Sequence, residues 1–283
     1  MKIFVKTIAS LTVSALLFVS CDKVEDPYYK TVEVDTTTTL VQKRVLLEDY
    51  TGHQCVNCPA AGNIAHNIKN ALGNKVVIVA IHAGFFANPL PSGDFTADYR
   101  TACGTEWDTF FVISTVGNPN GMVNRKNYPG DYILSPQAWS GAIATALAEP
   151  VTVDLALKNT YNSADRSLKA EIEVKFIEEM DKNLKLVVLL TESGIVSPQK
   201  NNDASVGTTP VIMDYVHQHV LRGSINDIWG DPVAVQGTTN PEILEKSYNY
   251  TVPAAYNAEN CAVVAFVYDV DTKEVLQVIE KEL

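Results

Sequence analysis

Positive charge is scarce in this sequence. It contains 22 lysines and arginines against 33 aspartates and glutamates, which gives a formal net charge of −11 at pH 7. Nucleic acids and anionic membrane surfaces attract proteins through clusters of basic residues, and a chain this acidic offers little general attraction to either. We therefore expect no nucleic-acid partner.

Long apolar runs are also scarce, and the single strong one lies in the first 20 residues. Lys2 and Lys6 precede the apolar stretch IASLTVSALLFVS. A basic start, a short apolar core and small residues at its end are typical of a secretory signal peptide, which is too short to span a bilayer. The next residue, Cys21, resembles the acylated cysteine in the lipobox of bacterial lipoproteins. We expect a signal peptide at residues 1–20 and a lipid on Cys21 as membrane anchor; cleavage to a free soluble chain is the alternative.

The sequence has five cysteines and a single Cys-x-x-Cys motif, formed by Cys55 and Cys58. A structural zinc site needs four ligands, and no second motif of this kind supplies the other two. Covalent haem attachment needs a histidine after the second cysteine, where this chain has Pro59. A working redox pair and a static disulfide therefore stay open as the two main readings. Cys103 and Cys261 lie in apolar patterns and are expected to be buried thiols.

The chain divides into three parts after the signal peptide. Residues 21–40 are polar and rich in threonine, which predicts a tether. From residue 41 to residue 150, strand and helix patterns alternate, as in KRVLLEDY, the helical spacing from Ala60 to Leu72 that Gly73 closes, VVIVAI, TADYRTACGTEWDTFF and GMVNRK. Ser135 and Pro136 indicate the start of a further helix. This order predicts an α/β domain with a mixed sheet.

The pattern changes after Pro150. Residues 151–283 contain six or seven strand-like segments separated by turn signals, with little helix signal. Such a series favours an antiparallel β-sandwich. We therefore predict two domains, at residues 41–150 and 151–283.

A strand, a tight Cys-x-x-Cys turn and an amphipathic helix are the parts of a thioredoxin-like active site. In this arrangement Cys55 is expected to be exposed at the helix N-terminus as the attacking nucleophile. Cys58, about one turn further on, is expected to resolve the mixed disulfide. A helix terminus stabilises a thiolate by about 1 kcal/mol, which is a useful but modest activation.

Two more positions fit a thioredoxin-like site. Asp49 lies six residues before Cys55, where such proteins often carry a buried acid that assists proton transfer at the second cysteine. Glu48 takes that place if the strand register differs by one residue, and a surface acid is the alternative. Pro119, in NPNGMVNR, has the position of the cis-proline that bounds the groove where a substrate chain adds as a strand.

Histidines near the motif are candidate modulators of the thiolate. His53 lies two residues before Cys55, and His82 follows VVIVAI at the carboxyl end of a predicted strand, where open α/β sheets place their sites. Each could equally be an ordinary packed histidine. His217 and His219 alternate in YVHQH and are expected to share one face of a strand, with a packing role rather than a metal site.

The chain resembles the 28-kDa outer-membrane-protein (Omp) family of Bacteroidota lipoproteins. The resemblance rests on VLLEDYTGHQCVNCPAAG, IHAGFF, NPNGMVNR and DYVHQHVLRGSI, in that order after a lipoprotein signal. It implies a thioredoxin-like N-terminal domain, a C-terminal β-sandwich of immunoglobulin-like character and an outer-membrane address. It implies no cofactor and no settled activity.

Two functions follow from these observations. The first is thiol–disulfide exchange by a lipid-anchored envelope protein, with protein thiols or disulfides as partners. In this reading Cys55, Cys58, Asp49 and Pro119 form the site. The second is a non-catalytic surface protein, such as an adhesin, receptor or binding module, that uses the same fold as a scaffold.

Overall fold

The computed structural model describes residues 41–237 and 242–283. The predicted signal peptide at 1–20, the tether at 21–40 and the lipidated Cys21 lie outside the described residues. Within the described part, no helix is long and apolar enough to cross a membrane.

The described residues form a mixed α/β structure with few helices and many strands. The helices are α1 (Cys58–Leu72), α2 (Ala102–Phe111), α3 (Ile113–Val116) and α4 (Pro136–Leu147). The strands are β1 (Val45–Thr51), β2 (Val76–His82), β3 (Asn120–Val123), β4 (Val153–Asn162), β5 (Ser167–Phe176), β6 (Leu184–Glu192), β7 (Ile195–Val196), β8 (Gln199–Lys200), β9 (Val211–Ile212), β10 (Val216–His217), β11 (Val220–Ser224), β12 (Asp231–Ala234), β13 (Ile243–Thr251), β14 (Cys261–Asp269) and β15 (Val275–Glu282).

Helix α1 forms where the sequence predicts it. Pro59 stands in the first turn, where an amide has no partner inside the helix and its loss costs nothing. Ala61, Ala65 and Ile68 are spaced to bury one face against the sheet. Gly73 ends the helix with a φ of 58°, a conformation that glycine adopts without strain.

Helix α2 is shorter than predicted, because its start depends on a capping bond. The sequence pattern TADYRTACGTEWDTFF predicts a helix across residues 96–111. In the structure Thr101 caps the helix by accepting a hydrogen bond from the Gly104 amide at 3.0 Å. Tyr99 therefore lies before the helix and packs elsewhere. Helix α4 begins at Pro136 after Ser135, as predicted.

The central sheet has eight strands. Seven follow the order β15-β14-β6-β11-β2-β1-β3, and β12 pairs with β6 beyond the end of β11. Strands β1 and β2 are parallel, and so is the short contact of β2 with β11; the other pairs are antiparallel. The sheet therefore joins strands from both sides of Pro150.

A second sheet, with the order β13-β5-β4, is antiparallel and packs on the antiparallel end of the central sheet. Alternate residues of β5, such as Leu168 and Ile172, are buried and share one core with Leu186, Val188 and Val263 of the central sheet. This alternation is the period of a strand that faces a core on one side. It agrees with the sequence pattern of this region.

Residues 193–219 leave the central sheet after β6 and return to it at β11; we call this segment the lid. It contains two short strand pairs, β7 with β10 and β8 with β9. The prediction that His217 and His219 share one strand face is wrong. His217 ends β10, whereas His219 has a φ of 53° and lies in the turn between β10 and β11.

Candidate redox site around the Cys55–Cys58 disulfide

The cysteine motif occupies the connection from β1 to α1. Strand β1 ends at Thr51, the chain turns through residues 52–57, and α1 begins at Cys58. Cys55 and Cys58 form a disulfide across this turn, with 5.4 Å between their Cα atoms. The β1-to-α1 order brings the pair to the carboxyl end of a strand in a mixed sheet, where such folds place their sites.

Both cysteines are buried, and this corrects the expectation that Cys55 is exposed. Cys55 has 2% and Cys58 has 4% of its surface in contact with solvent. The lid contributes to this burial. Gln199 donates from Nε2 to the carbonyl oxygens of Gly52 at 3.2 Å and Cys55 at 2.9 Å.

Backbone hydrogen bonds also connect the lid to the cysteine motif. The Lys200 amide donates to the His53 carbonyl at 2.9 Å, and the Asn202 amide donates to the Val56 carbonyl at 3.1 Å. On another side, the Gln54 amide donates to the carbonyl of Phe86 at 3.0 Å. The lid thus lies along the motif in the manner of an added strand.

Asp49 is buried on β1 and faces the same cavity as Cys58. Its Oδ1 has no hydrogen-bond partner among the described residues. Loss of hydration disfavours the ionised carboxylate, so burial raises the pKa of Asp49 to about 7. A carboxyl with such a pKa exists in both protonation states near neutral pH and can accept or release a proton.

Glu48, the alternative to Asp49, points the other way because side chains alternate along a strand. Its two carboxylate oxygens accept hydrogen bonds from Arg125, at 2.9 Å from Nε and 2.7 Å from Nη2. The Arg125 guanidinium lies over the ring of Trp107, with 4.8 Å to the centroid. Glu48 is therefore a partner in a buried ion pair in the core.

Three histidines and a tyrosine meet beside the disulfide. The rings of His82 and His217 are 5.6 Å apart between centroids, and those of His53 and His82 are 6.5 Å apart. Tyr99 lies 5.0 Å from His82 and 5.2 Å from His217. His82 follows β2 at its carboxyl end, as predicted, and β10 carries His217 into this histidine cluster.

Burial is the main cause of the pKa shifts of these histidines. It lowers the pKa of His217 to about 4, lowers that of His53, and holds that of His82 well below its ordinary value. Burial therefore favours the neutral form of all three rings. In the described part of the chain, no three histidine, cysteine or acidic residues are arranged to hold a metal ion.

Pro119 precedes β3 beside the end of β1. The Asn118–Pro119 peptide bond is cis. The Asn118 side chain donates from Nδ2 to the carbonyl oxygens of Thr51 and Ala83, at 3.3 Å each, and so ties together the loops that follow β1 and β2. Asn120, the first residue of β3, pairs with Tyr50 of β1. Pro119 thus lies next to the strand that leads into the cysteine turn.

A cavity of about 300 Å³ lies beside the disulfide. Its inner wall includes Asp49, Cys58 and His82, together with His217 and Tyr215 from the lid. The exposed residues Asn63, His66 and Gln218 stand at its outer edge, between α1 and the lid. The cavity therefore leads from the surface to the second cysteine of the disulfide.

Sequence reasoning missed the lid. Gln199 is 144 residues from Cys55 along the chain and stands in a stretch without a motif. Tyr215 is the first residue of YVHQH, but only the two histidines of that stretch were considered as site residues. Contacts this distant arise from tertiary packing, which local patterns do not encode.

These features define a mixed α/β protein with a buried disulfide at the start of a helix. The family model described as "Outer membrane protein Omp28" matches residues 110–283. The chain belongs to this family and is an outer-membrane protein. The matched residues contain β3, the lid and the antiparallel strands, whereas the Cys55–Cys58 motif precedes them.

Several solved structures match the chain, including three from Porphyromonas gingivalis and Agrobacterium tumefaciens. HBP35 of Porphyromonas gingivalis is 17% identical with a TM-score of 0.61, and the match covers 86% of this chain and 76% of that chain. An Agrobacterium tumefaciens protein is 12% identical with a TM-score of 0.50, covering 84% and 94%. A domain of the outer membrane lipoprotein Omp28 from Porphyromonas gingivalis is 24% identical with a TM-score of 0.32, covering 48% and 90%. No curated protein matches the sequence.

Proposed function

We propose that the chain is a lipid-anchored outer-membrane protein whose Cys55–Cys58 pair exchanges between disulfide and dithiol. The observation that carries the proposal is the disulfide at the first turn of α1, where Cys58 and the buried Asp49 line one cavity. Asp49 accepts a proton from one thiol and returns it to another during exchange. Cys21 carries the lipid, and thiols or disulfides are the substrates.

The proposal includes a thioredoxin-like arrangement of residues 41–150 and an immunoglobulin-like sandwich at residues 151–283. The parallel β1–β2 pair, the helix that starts at Cys58 and the position of Pro119 directly before β3 support the first part. The core shared by the three-stranded sheet and the antiparallel strands of the central sheet supports the second.

A second candidate is a non-catalytic surface protein in which the disulfide only clips the fold. The burial of both Cys55 and Cys58 favours it, because an exchanging disulfide has to be reached by its partner. An aromatic contact surface around Tyr248, Tyr250 and Tyr256 would also favour it. These three tyrosines are partly buried and pack against the core, so they do not form a fully exposed aromatic patch.

The experiment that separates the two candidates measures the reduction potential of the Cys55–Cys58 pair. The full chain is equilibrated in dithiothreitol buffers, quenched by alkylation and analysed by peptide mass spectrometry. Exchange predicts a potential above about −300 mV, because structural disulfides of secreted proteins lie below that value. The buried thiols of Cys103 and Cys261 serve as internal controls that stay reduced throughout. A potential far below −300 mV would show that the disulfide is structural and does not exchange.

A further inference from the structure

The two cysteines of the disulfide differ in what surrounds them. Cys58 lines the 300 Å³ cavity together with Asp49 and His82. Cys55 lies under the lid, and its carbonyl oxygen accepts a hydrogen bond from Gln199. A partner that arrives through the cavity therefore meets Cys58 first.

The lid also occupies the backbone that a polypeptide substrate needs. A peptide that adds as a strand requires free carbonyl and amide groups along the motif. The carbonyl oxygens of Gly52, His53, Cys55 and Val56 all accept hydrogen bonds from lid residues. The side chains of Asn202 and Asn57 are bonded as well, at 2.8 Å. A protein thiol cannot pair with the motif while the lid is in this position.

The cavity has the size and polarity for a small molecule. At roughly 30 Å³ per water molecule, a volume of about 300 Å³ holds about ten waters, or a thiol of a few heavy atoms. Asp49 Oδ1 and His82 Nδ1 have no hydrogen-bond partners among the described residues. Buried polar atoms without protein partners are completed by water or a polar ligand.

We infer that the substrates of this pair are small thiols and small disulfides that enter through the cavity and react at Cys58. The inference rests on the exchange proposed above and reverses the order expected from the sequence, in which Cys55 is attacked first. The lid excludes polypeptides and so determines the substrate class.

Reduction of the pair takes place in two displacements. In the first, a small thiol gives its proton to the Asp49 carboxylate, and its thiolate attacks the sulfur of Cys58. The Cys55–Cys58 bond breaks, a bond between Cys58 and the small molecule forms, and Cys55 leaves as a thiolate at the N-terminal end of α1.

In the second displacement, another thiolate attacks the sulfur of the bound small molecule. The small disulfide leaves, Cys58 takes the proton held by Asp49, and Cys55 takes the proton of the second thiol. Two thiols are oxidised to one small disulfide, and the protein disulfide is reduced to two thiols.

The first test compares small and protein reductants on the oxidised full chain. Cysteine and dithiothreitol are matched in thiolate concentration with a reduced thioredoxin, and the rate of reduction is followed by alkylation and mass spectrometry. We expect the small thiols to react at least tenfold faster. A thioredoxin rate equal to or above theirs would overturn the inference and leave exchange intact. Failure of every reductant would instead overturn the proposed function.

The second test locates the reacting sulfur. Cys55→Ser and Cys58→Ser variants, each checked for native circular dichroism, are incubated with cystine, and the adduct is mapped by mass spectrometry. Entry through the cavity predicts that the remaining Cys58 forms the adduct at least tenfold faster than the remaining Cys55. Faster modification of Cys55 would overturn the inference that small molecules react at Cys58.

The third test loosens the lid. Gln199→Ala removes the side-chain bonds to Gly52 and Cys55, and we expect the ratio of the thioredoxin rate to the cysteine rate to rise severalfold. Met213→Ala is the matched control, because Met213 is an exposed lid residue. An unchanged ratio in folded Gln199→Ala would show that the lid does not select the substrate.

Discussion

Asp49 and Glu48 are neighbours on β1, and they show that a shift of one residue along a strand changes the environment of a side chain. Both are acids on β1 and both are buried, yet they face opposite sides of the sheet. Glu48 has a full ion pair with Arg125, whereas Asp49 lies in the cavity with Oδ1 unpaired. Burial without a partner gives Asp49 the pKa of an acid–base group.

Replacement of Asp49 should flatten the pH dependence of stability. The folded chain holds the Asp49 proton up to about pH 7, and the unfolded chain loses it near pH 3.8. Between these values the folded state binds more protons, so the free energy of unfolding falls as pH rises. The loss reaches about 4 kcal/mol at most above pH 7. We expect Asp49→Asn to gain stability over the wild type progressively from pH 4 to pH 8, as measured by urea unfolding.

The matched control for this prediction is Asp94→Asn, which removes one exposed carboxylate. It should keep the wild-type slope of stability against pH. A wild-type slope in Asp49→Asn would show that the carboxyl is not the source of the dependence.

The Glu48–Arg125 pair predicts a different response in stability, because both charges are buried and form two hydrogen bonds with each other. Removal of one partner leaves the other charge alone in the core, which costs about 3–5 kcal/mol. We expect this loss in Glu48→Gln, measured by guanidinium unfolding. The double variant Glu48→Leu with Arg125→Met should lose less than either single variant. If the double variant lost as much free energy of unfolding as the two single variants together, Glu48 and Arg125 would not be coupled.

At the scale of elements, the loop from β1 to α1 is closely confined. Gly52 has space for no side chain, because an added Cβ would lie 2.5 Å from the carbonyl carbon and oxygen of Phe86. The loops at residues 52–57 and 84–88 therefore contact each other through backbone atoms. This contact and the lid together enclose the disulfide.

Gly52→Ala should separate these loops. Overlap with backbone atoms cannot be relieved by a side-chain rotation, so we expect a loss of about 2 kcal/mol or more in the free energy of unfolding. Reduction of the disulfide by dithiothreitol should also become faster. Gly141→Ala is the control, since Gly141 lies in α4 with open space around it. It should stabilise the chain by up to about 1 kcal/mol through helix propensity. Equal effects of the two variants would show that the contact with Phe86 is not tight.

On the scale of the whole molecule, the two predicted domains are connected more closely than a linker at residue 150 implies. Strand β11 joins β2 to β6 within one sheet. Val77 and Trp107 share a core with Val264 and Phe266 of β14. The domain boundary at residue 150 stays a prediction, but the hydrophobic core crosses it.

A shared core predicts cooperative unfolding. Calorimetry of the full chain should show one transition over residues 41–283, with equal calorimetric and van't Hoff enthalpies, because neither half can expose its side of the core alone. Two separate transitions that differ by more than a few degrees would establish independent domains.

The sequence by itself determined the local parts of this protein. It predicted the strand before the cysteine turn, the helix that follows the turn and ends at Gly73, and the candidate positions of Asp49, His82 and Pro119. These features depend on apolar periodicity, capping residues and fixed spacings, which act over a few residues. The resemblance stated from its motifs also led to the Omp28 family, which the family match confirms.

Only the tertiary structure decided how the motif is enclosed. It placed the lid over Cys55, brought His217 beside His82, and joined both halves of the chain in one sheet. These contacts connect residues far apart in sequence, and their free energy comes from burial and hydrogen bonds that exist once the chain has folded. For that reason the sequence could predict an exposed cysteine where the fold buries one.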